Sequence, residues 1–143
     1  QRKLMDINYH IYGSNKYLEK HGMPKSINDL SKHNFISFGR GAPSPVFNPD
    51  WALKLGIKDN KKRKPVMKVN SVMGLLLAVE SGVGLAALPD YLVSLSRNVI
   101  KVLPSVEGPI TEAHFVFPES LKNVARVTTF RNSLYSKISE FKS

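Results

Sequence analysis

The chain has 143 residues, 42% of them hydrophobic and 22% charged, with 21 Lys+Arg against 11 Asp+Glu and a formal net charge of +10. That length holds one ordinary domain or two small lobes, and an apolar content this high and evenly spread excludes a disordered chain. Zero cysteines exclude a disulfide framework, a thiolate metal site and a cysteine nucleophile, and no apolar run approaches the roughly 20 residues that span a bilayer. The lack of cysteine fits a reducing, cytoplasmic setting. The chain begins at Gln1 rather than Met and is read as a piece of a longer protein or a processed product.

In chain order, Ile7, Tyr9 and Ile11 alternate with Asn8, His10 and Tyr12, which predicts a strand over 6–13. Ser14 and Asn15 supply cap chemistry for a short helix over 16–21 that Gly22 closes. Ser26, with Asp29 three residues on, opens a second short helix over 27–32, and 34–38 reads as a strand. The Gly- and Pro-rich stretch 39–50 is a loop that Phe47 and Trp51 should anchor. Trp51, Leu53, Leu55 and Ile57 then alternate like a strand. A strand over 65–70 is followed by a helix opened by Ser71, with Val72, Leu75, Leu76 and Val79 on one face, ended by Gly82. A buried strand over 84–88 stops at Pro89; a helix over 91–96 and strands over 99–103 and 113–117 follow. Leu121, Val124, Val127, Phe130, Leu134, Ile138 and Phe141 recur at three- and four-residue steps, an amphipathic helix. Strands alternating with helices argue for an α/β architecture with a mostly parallel sheet.

Little in the chain points to catalysis. The four histidines, His10, His21, His33 and His114, lack metal-site spacing and read as surface or strand-edge residues. There is no Gly-x-Ser-x-Gly elbow, no Gly-x-x-x-x-Gly-Lys-Ser/Thr loop and no paired carboxylates, so the chain is read as a non-enzyme needing no cofactor and no metal. The positive charge is dispersed over Arg2, Lys3, Lys54, Lys58, the run Lys61, Lys62, Arg63, Lys64, and the last helix. Such a run reads as a solvated loop before a phosphate track, with weak, salt-sensitive adhesion to polyanions.

Three places could hold a ligand. In Gly82-Val83-Gly84 the order helix, glycines, strand reverses that of a phosphate cradle, so a helix C-cap and a tight turn into a buried strand are expected. The order strand, Asn70-Ser71, helix presents amides and a hydroxyl at a helix N-terminus, either as an anion site or as a cap alone. The strand end Phe38-Gly39-Arg40 offers an apolar wall, close backbone approach and a guanidinium that pairs with a carboxylate or is solvated.

The ordered set of motifs resembles the effector-binding domain of LysR-type transcriptional regulators. The resemblance rests on the run from Asn70-Ser71-Val72 through Glu80-Ser81-Gly82-Val83-Gly84 to Leu88-Pro89-Asp90-Tyr91-Leu92. It rests equally on Tyr17-Leu18, His21-Gly22-Met23-Pro24, Asp29-Leu30-Ser31-Lys32-His33 and the Phe115-Val116-Phe117-Pro118 strand before a long helix.

The resemblance implies a type 2 periplasmic-binding-protein-like lobe, with a mixed sheet flanked by helices, plus the C-terminal helix of the other lobe. On that pattern 1–5 ends a crossover, 6–109 is the second lobe, and 110–143 is a crossover strand and the first lobe's last helix. A small-molecule effector, anionic if Arg40 pairs with it, would be held between lobes by Phe38, Gly39, Arg40, Asn70, Ser71 and Val72, with Tyr12 and Gly13 as hinge. The parent protein would be a cytoplasmic homo-oligomer without membrane contact that touches DNA only through a helix-turn-helix absent from this chain. The last helix would have to fold back on its own lobe or pack against something outside the sequence. The alternative is a solute-binding domain of a transport system with the same fold.

Overall fold

The computed structural model describes residues 1–39, 48 and 50–142. The first alternating stretch is two strands, β1 (Arg2–Ile7) and β2 (Tyr9–Ser14). They part at Asn8, whose carbonyl accepts the Asp90 amide at 2.9 Å. Ser14 Oγ accepts the Tyr17 amide at 3.1 Å and opens α1 (Asn15–His21). Gly22, at φ 85°, closes it, a conformation glycine takes without a Cβ penalty. The second short helix is a 3-10 turn, Ile27–Lys32. Asp29 Oδ2 accepts the amides of Lys25 and Ser26, both at 3.0 Å, and these bonds hold its carboxyl below the usual range.

Next come β3 (Ile36–Phe38), α2 (Trp51–Lys54), β4 (Met67–Val69), α3 (Val72–Glu80), β5 (Ala86–Pro89), α4 (Asp90–Val93), β6 (Val99–Val102), β7 (Thr111–Phe115), a 3-10 turn (Glu119–Leu121) and α5 (Ala125–Lys142). The alternation expected to make Trp51 a strand residue instead makes the single turn α2. Trp51, Ala52 and Leu53 are buried consecutively, whereas a strand would bury every second residue. Phe47, the other expected anchor, lies outside the described residues. At the end of α3 the Gly82 amide bonds the Val79 carbonyl and the Val83 amide bonds that of Ala78. With Gly82 at φ 79°, this is a glycine C-cap of the Schellman type, as the sequence order implied.

The chain divides into two compact units, Asn8–Thr111 and Gln1–Ile7 with Glu112–Ser143. In the larger unit β2 is antiparallel to both β5 and β6, while β3 is parallel to β4. A parallel bridge between Phe35 and Leu85 joins the two sheets in the order β4-β3-β5-β2-β6. The sheet is therefore mixed, and the mostly parallel sheet read from the alternation of elements is corrected. Alternation fixes which residues share a face; it carries no strand direction, and β2 runs against both neighbours. The core packs Leu75, Leu76 and Val79 of α3 and Leu92 and Val93 of α4 onto Tyr12, Ile36, Ala86, Leu88 and Val99. Each large apolar side chain so buried stabilises by roughly 1.5–3 kcal/mol.

In the smaller unit β1 pairs with β7, and α5 packs against β1. Tyr135 donates its hydroxyl to the Lys3 carbonyl at 3.2 Å, and the Arg2 guanidinium stands 4.9 Å above the Tyr135 ring. The ring of Phe130 lies 5.9 Å from that of Phe115, yet Phe130 remains 59% exposed. No described side chain of this unit is fully buried.

Two predictions follow from this packing. A Cβ on Gly84 would stand 2.5 Å from the Asn34 carbonyl oxygen, a backbone atom that cannot swing away. Gly84→Ala should cost about 2 kcal/mol in urea unfolding, the usual scale of overpacking; an unchanged midpoint would show the backbone yields freely. The Tyr17 hydroxyl accepts the Asn34 amide at 2.9 Å and lies 3.0 Å from His33 Nδ1, so it donates to a neutral ring. Burial, then the nearby His21, lower the His33 pKa below its ordinary 6.5. Because the unfolded chain takes that proton first, stability should fall as pH drops below about 6.5. The urea midpoint of the chain, followed from pH 7.5 to 5.5, should show this loss, and His33→Gln should flatten it.

Candidate functional site

Five of the six predicted contact residues come together in the larger unit, at the carboxyl ends of β3 and β4. The parallel register pairs Ile36 with Met67, Ser37 with Lys68 and Phe38 with Val69. The Gly39 amide then donates to the Val69 carbonyl at 2.6 Å, so the two strand ends stay joined where the chains turn away. A Cβ on Gly39 would lie 3.4 Å from that oxygen, a tight approach that glycine relieves. Asn70 and Ser71 follow directly and are exposed, while Phe38 and Val72 are half-buried and pack on the edge of the core. Arg40 lies outside the described residues.

Ser71 is extended, at φ −143° and ψ 138°, and its Oγ accepts the Gly74 amide at 3.0 Å. The cap reading of Ser71 therefore holds. It does not exhaust the residue, because the hydroxyl proton is free to donate outward. The Val72 and Met73 amides, first in the helix, have no intrahelical acceptor. Together they form a small donor cluster at the positive end of a nine-residue helix. Phe38 adds an apolar wall beside it, and Asn70 both donates and accepts.

A third strand ends on the same side of the sheet. The Phe35–Leu85 bridge is parallel, so β5 runs with β3 and β4, and its carboxyl end delivers Asp90. Asp90 is heavily engaged. Its Oδ1 accepts the Tyr12 hydroxyl at 2.7 Å and lies 2.8 Å from His10 Nδ1, and its Oδ2 stands 3.5 Å from Lys101 Nζ. Burial, then the bond to Asp90, push the Tyr12 hydroxyl well above the usual phenol range. The sequence marks Asp90 only as the start of a helix after Pro89; its partners lie 78 and 80 residues away. His10, expected at a surface or strand edge, is instead buried on central β2. It is tolerated there because a carboxylate faces its ring.

Tyr12 and Gly13, expected to act as hinge, sit inside β2, laddered to Ala86 and Lys101 and to Ile100. The Leu85 and Leu18 side chains close over Gly13, leaving no room for a Cβ. The division between the units falls elsewhere, between Ile7 and Asn8 and between Thr111 and Glu112. In the smaller unit Phe115, Phe117, Leu121, Val124, Val127 and Phe130 line an open, largely apolar groove, with Arg126 the one charged residue at its wall. Its donors come from the single Arg126 guanidinium rather than from a hydroxyl and amides at a helix N-terminus. No group of three or more potential metal ligands occurs among the described residues.

The family profile described as LysR substrate binding domain matches residues 1–138. An uncharacterized HTH-type transcriptional regulator of Haemophilus influenzae is 29% identical over 132 residues, covering 89% of this chain and 44% of that protein. The HTH-type transcriptional regulator CrgA of Neisseria meningitidis is 30% identical over 103 residues, covering 72% of this chain and 33% of CrgA. The chain thus spans less than half the length of these curated relatives. Among solved structures, the CrgA regulatory domain superposes with a TM-score of 0.73 at 24% identity, over 96% of this chain and 67% of that one. The regulatory domain of AphB from Vibrio vulnificus gives 0.63 at 16% identity, over 95% and 66%. These structures share the type 2 periplasmic-binding-protein-like α/β fold, with its mixed sheet flanked by helices. With residues 1–138 matched by the family profile, the chain belongs to the LysR substrate-binding domain family.

Proposed function

We propose that this chain is the effector-sensing part of a DNA-binding transcriptional regulator, and that the larger unit is the second lobe of its sensor. The observation that carries this reading is the meeting of Gly39, Asn70 and Ser71 at the joined carboxyl ends of β3 and β4, where open α/β sheets bind ligands. The ligand is a small molecule with an anionic end. The Ser71 hydroxyl and the first amides of α3 receive that end, and Phe38 and Val72 pack against its body. Asp90, on the same side of the sheet, would repel an anion if bare. Its bonds to Tyr12 and His10 and the nearby Lys101 offset that charge.

The smaller unit supplies the crossover strands and last helix of the first lobe. The hinge belongs at its two junctions with the larger unit rather than at Tyr12 and Gly13. In the whole protein, effector binding favours one arrangement of the lobes and thereby changes the spacing of DNA-bound helix-turn-helix elements in an oligomer. Throwing such a switch from 1:99 to 99:1 needs about 5.5 kcal/mol of differential affinity. The matched relatives are transcriptional regulators, which supports this reading, and with it a cytoplasmic site of action, over a transport component or an enzyme. No helix of the described residues is long and apolar enough to cross a membrane.

Thermal unfolding of the chain against a panel of small carboxylates tests the proposal. A ligand at a hundredfold its Kd should stabilise the chain by about 2.7 kcal/mol. Ser71→Ala should lower the ligand-free stability by about 1 kcal/mol through the lost cap. It should also weaken ligand affinity by about tenfold, the worth of one hydrogen bond to a charged group. A variant that loses the first and keeps the second unchanged would make Ser71 a cap alone.

A further inference from the structure

The basic run at 61–64 is built into a closed, braced loop. The Arg63 amide returns to the Leu53 carbonyl at 2.9 Å, and the Ile57 amide bonds the Lys54 carbonyl at 3.1 Å, so the backbone from Lys54 to Lys64 is tied at its base. The Arg63 side chain is spent on structure. Its Nη1 donates to the Leu55 carbonyl at 2.6 Å and lies 3.4 Å from those of Ala52 and Leu53, and its guanidinium stands 5.6 Å from the Phe35 ring centre. Gly56, at φ 69°, lies so close to Ile27 that a Cβ would meet its Cγ2 at 2.6 Å. Lys62 is paired with Asp50 at 2.6 Å.

What remains are Lys54, at the end of α2, and Lys58, Lys61 and Lys64 on the loop, all exposed, and none of the four forms an ion pair among the described residues. Asp59, exposed at the tip, is the loop's one acid. A solvated loop needs neither a guanidinium seated among three carbonyls nor a glycine wedged against a neighbouring turn. These braces fix a backbone that spaces four uncommitted cations, which lowers the ordering cost of binding a charged lattice.

We propose that this loop is a sequence-independent contact for the phosphate backbone of duplex DNA, separate from the effector crevice. The inference rests on reading the chain as part of a DNA-binding regulator, whose operator is the polyanion at hand. Each lysine that neutralises a phosphate releases a counterion and steepens the salt dependence of binding.

The test is fluorescence anisotropy of a labelled mixed-sequence duplex titrated with the 143-residue chain between 25 and 200 mM KCl. Four neutralised phosphates predict a slope of log K against log salt of about −3.6. Changing Lys54, Lys58, Lys61 and Lys64 to Gln should flatten that slope by about 3, with circular dichroism unchanged because Arg63 and Gly56 are kept. A control with Lys16, Lys20, Lys32 and Arg97 changed to Gln removes equal charge from the same unit and should leave the slope within about 1 of the parent. Equal flattening in both variants, or none in the loop variant, would overturn the proposal by reducing the effect to overall charge. Sedimentation with vesicles containing phosphatidylserine, without DNA binding, would overturn it in favour of a membrane surface. Effector-induced thermal shifts are independent of these lysines, so failure here leaves the sensing reading to its own test.

Discussion

The larger unit depends on the approach of two backbones at Asn34 and Gly84. The Leu85 amide bonds the Asn34 carbonyl and the Ile36 amide bonds the Leu85 carbonyl, both at 2.8 Å, and the Val66 amide reaches the Phe35 carbonyl at 2.9 Å. These bonds carry the sheet from β5 across to β3 and on to β4. Without them β3-β4 and β5-β2-β6 would be separate pieces, and the three carboxyl strand ends would have no common side. A side chain at 84 would fall inside van der Waals contact with Asn34, so the juncture requires glycine for space rather than for backbone freedom. The glycine pair around Val83 thus divides its work. Gly82 ends α3, and Gly84 admits the neighbouring strand.

What could be read in the sequence was local. Ser71 before an apolar helical face, Gly82 after it, and Ser14 and Gly22 around α1 are caps whose chemistry sits within a few residues, and each forms as written. The pairing of Asp29 with Ser26 is of the same kind. The direction of β2 was illegible because side-chain alternation is identical in parallel and antiparallel strands. The single turn at Trp51 was illegible because its apolar spacing also fits a strand, and only the burial of Ala52 between Trp51 and Leu53 tells the two apart. Along the candidate site, Gly39 and Ser71 were legible as strand ends. Asp90 was not, since its meaning comes from residues on two other strands.

The Asp90 cluster shows how a polar interior is tolerated. An unpaired carboxylate at the edge of an apolar core would cost several kcal/mol in desolvation. Here two oxygens meet a phenol, an imidazole and an ammonium, so the charge is shared among groups drawn from β2 and β6. Such a network favours one arrangement over others, because a slip of β2 by one residue would turn His10 and Tyr12 to the opposite face and leave Asp90 with Lys101 alone. It therefore helps fix the register on which the alignment of the strand ends relies.

The two units differ in what holds them. Every fully buried hydrophobic side chain among the described residues lies between Tyr9 and Leu103, within the larger unit. The smaller unit is joined by one strand pair, exposed ion pairs of Lys3 and His114 with Glu112, a tyrosine hydroxyl on a carbonyl, a cation over a ring and aromatic contacts around Phe115. Interactions of these kinds are worth about 1 kcal/mol apiece, whereas the other unit's core rests on many side chains worth roughly twice that each. A sensor built this way would keep its ligand-contacting strand ends on the rigid part. Adjustment would fall to the unit with little core of its own. That division follows from burial alone: the interior of β2 is laddered on both edges, while the chain passes between the units at Ile7 and Thr111.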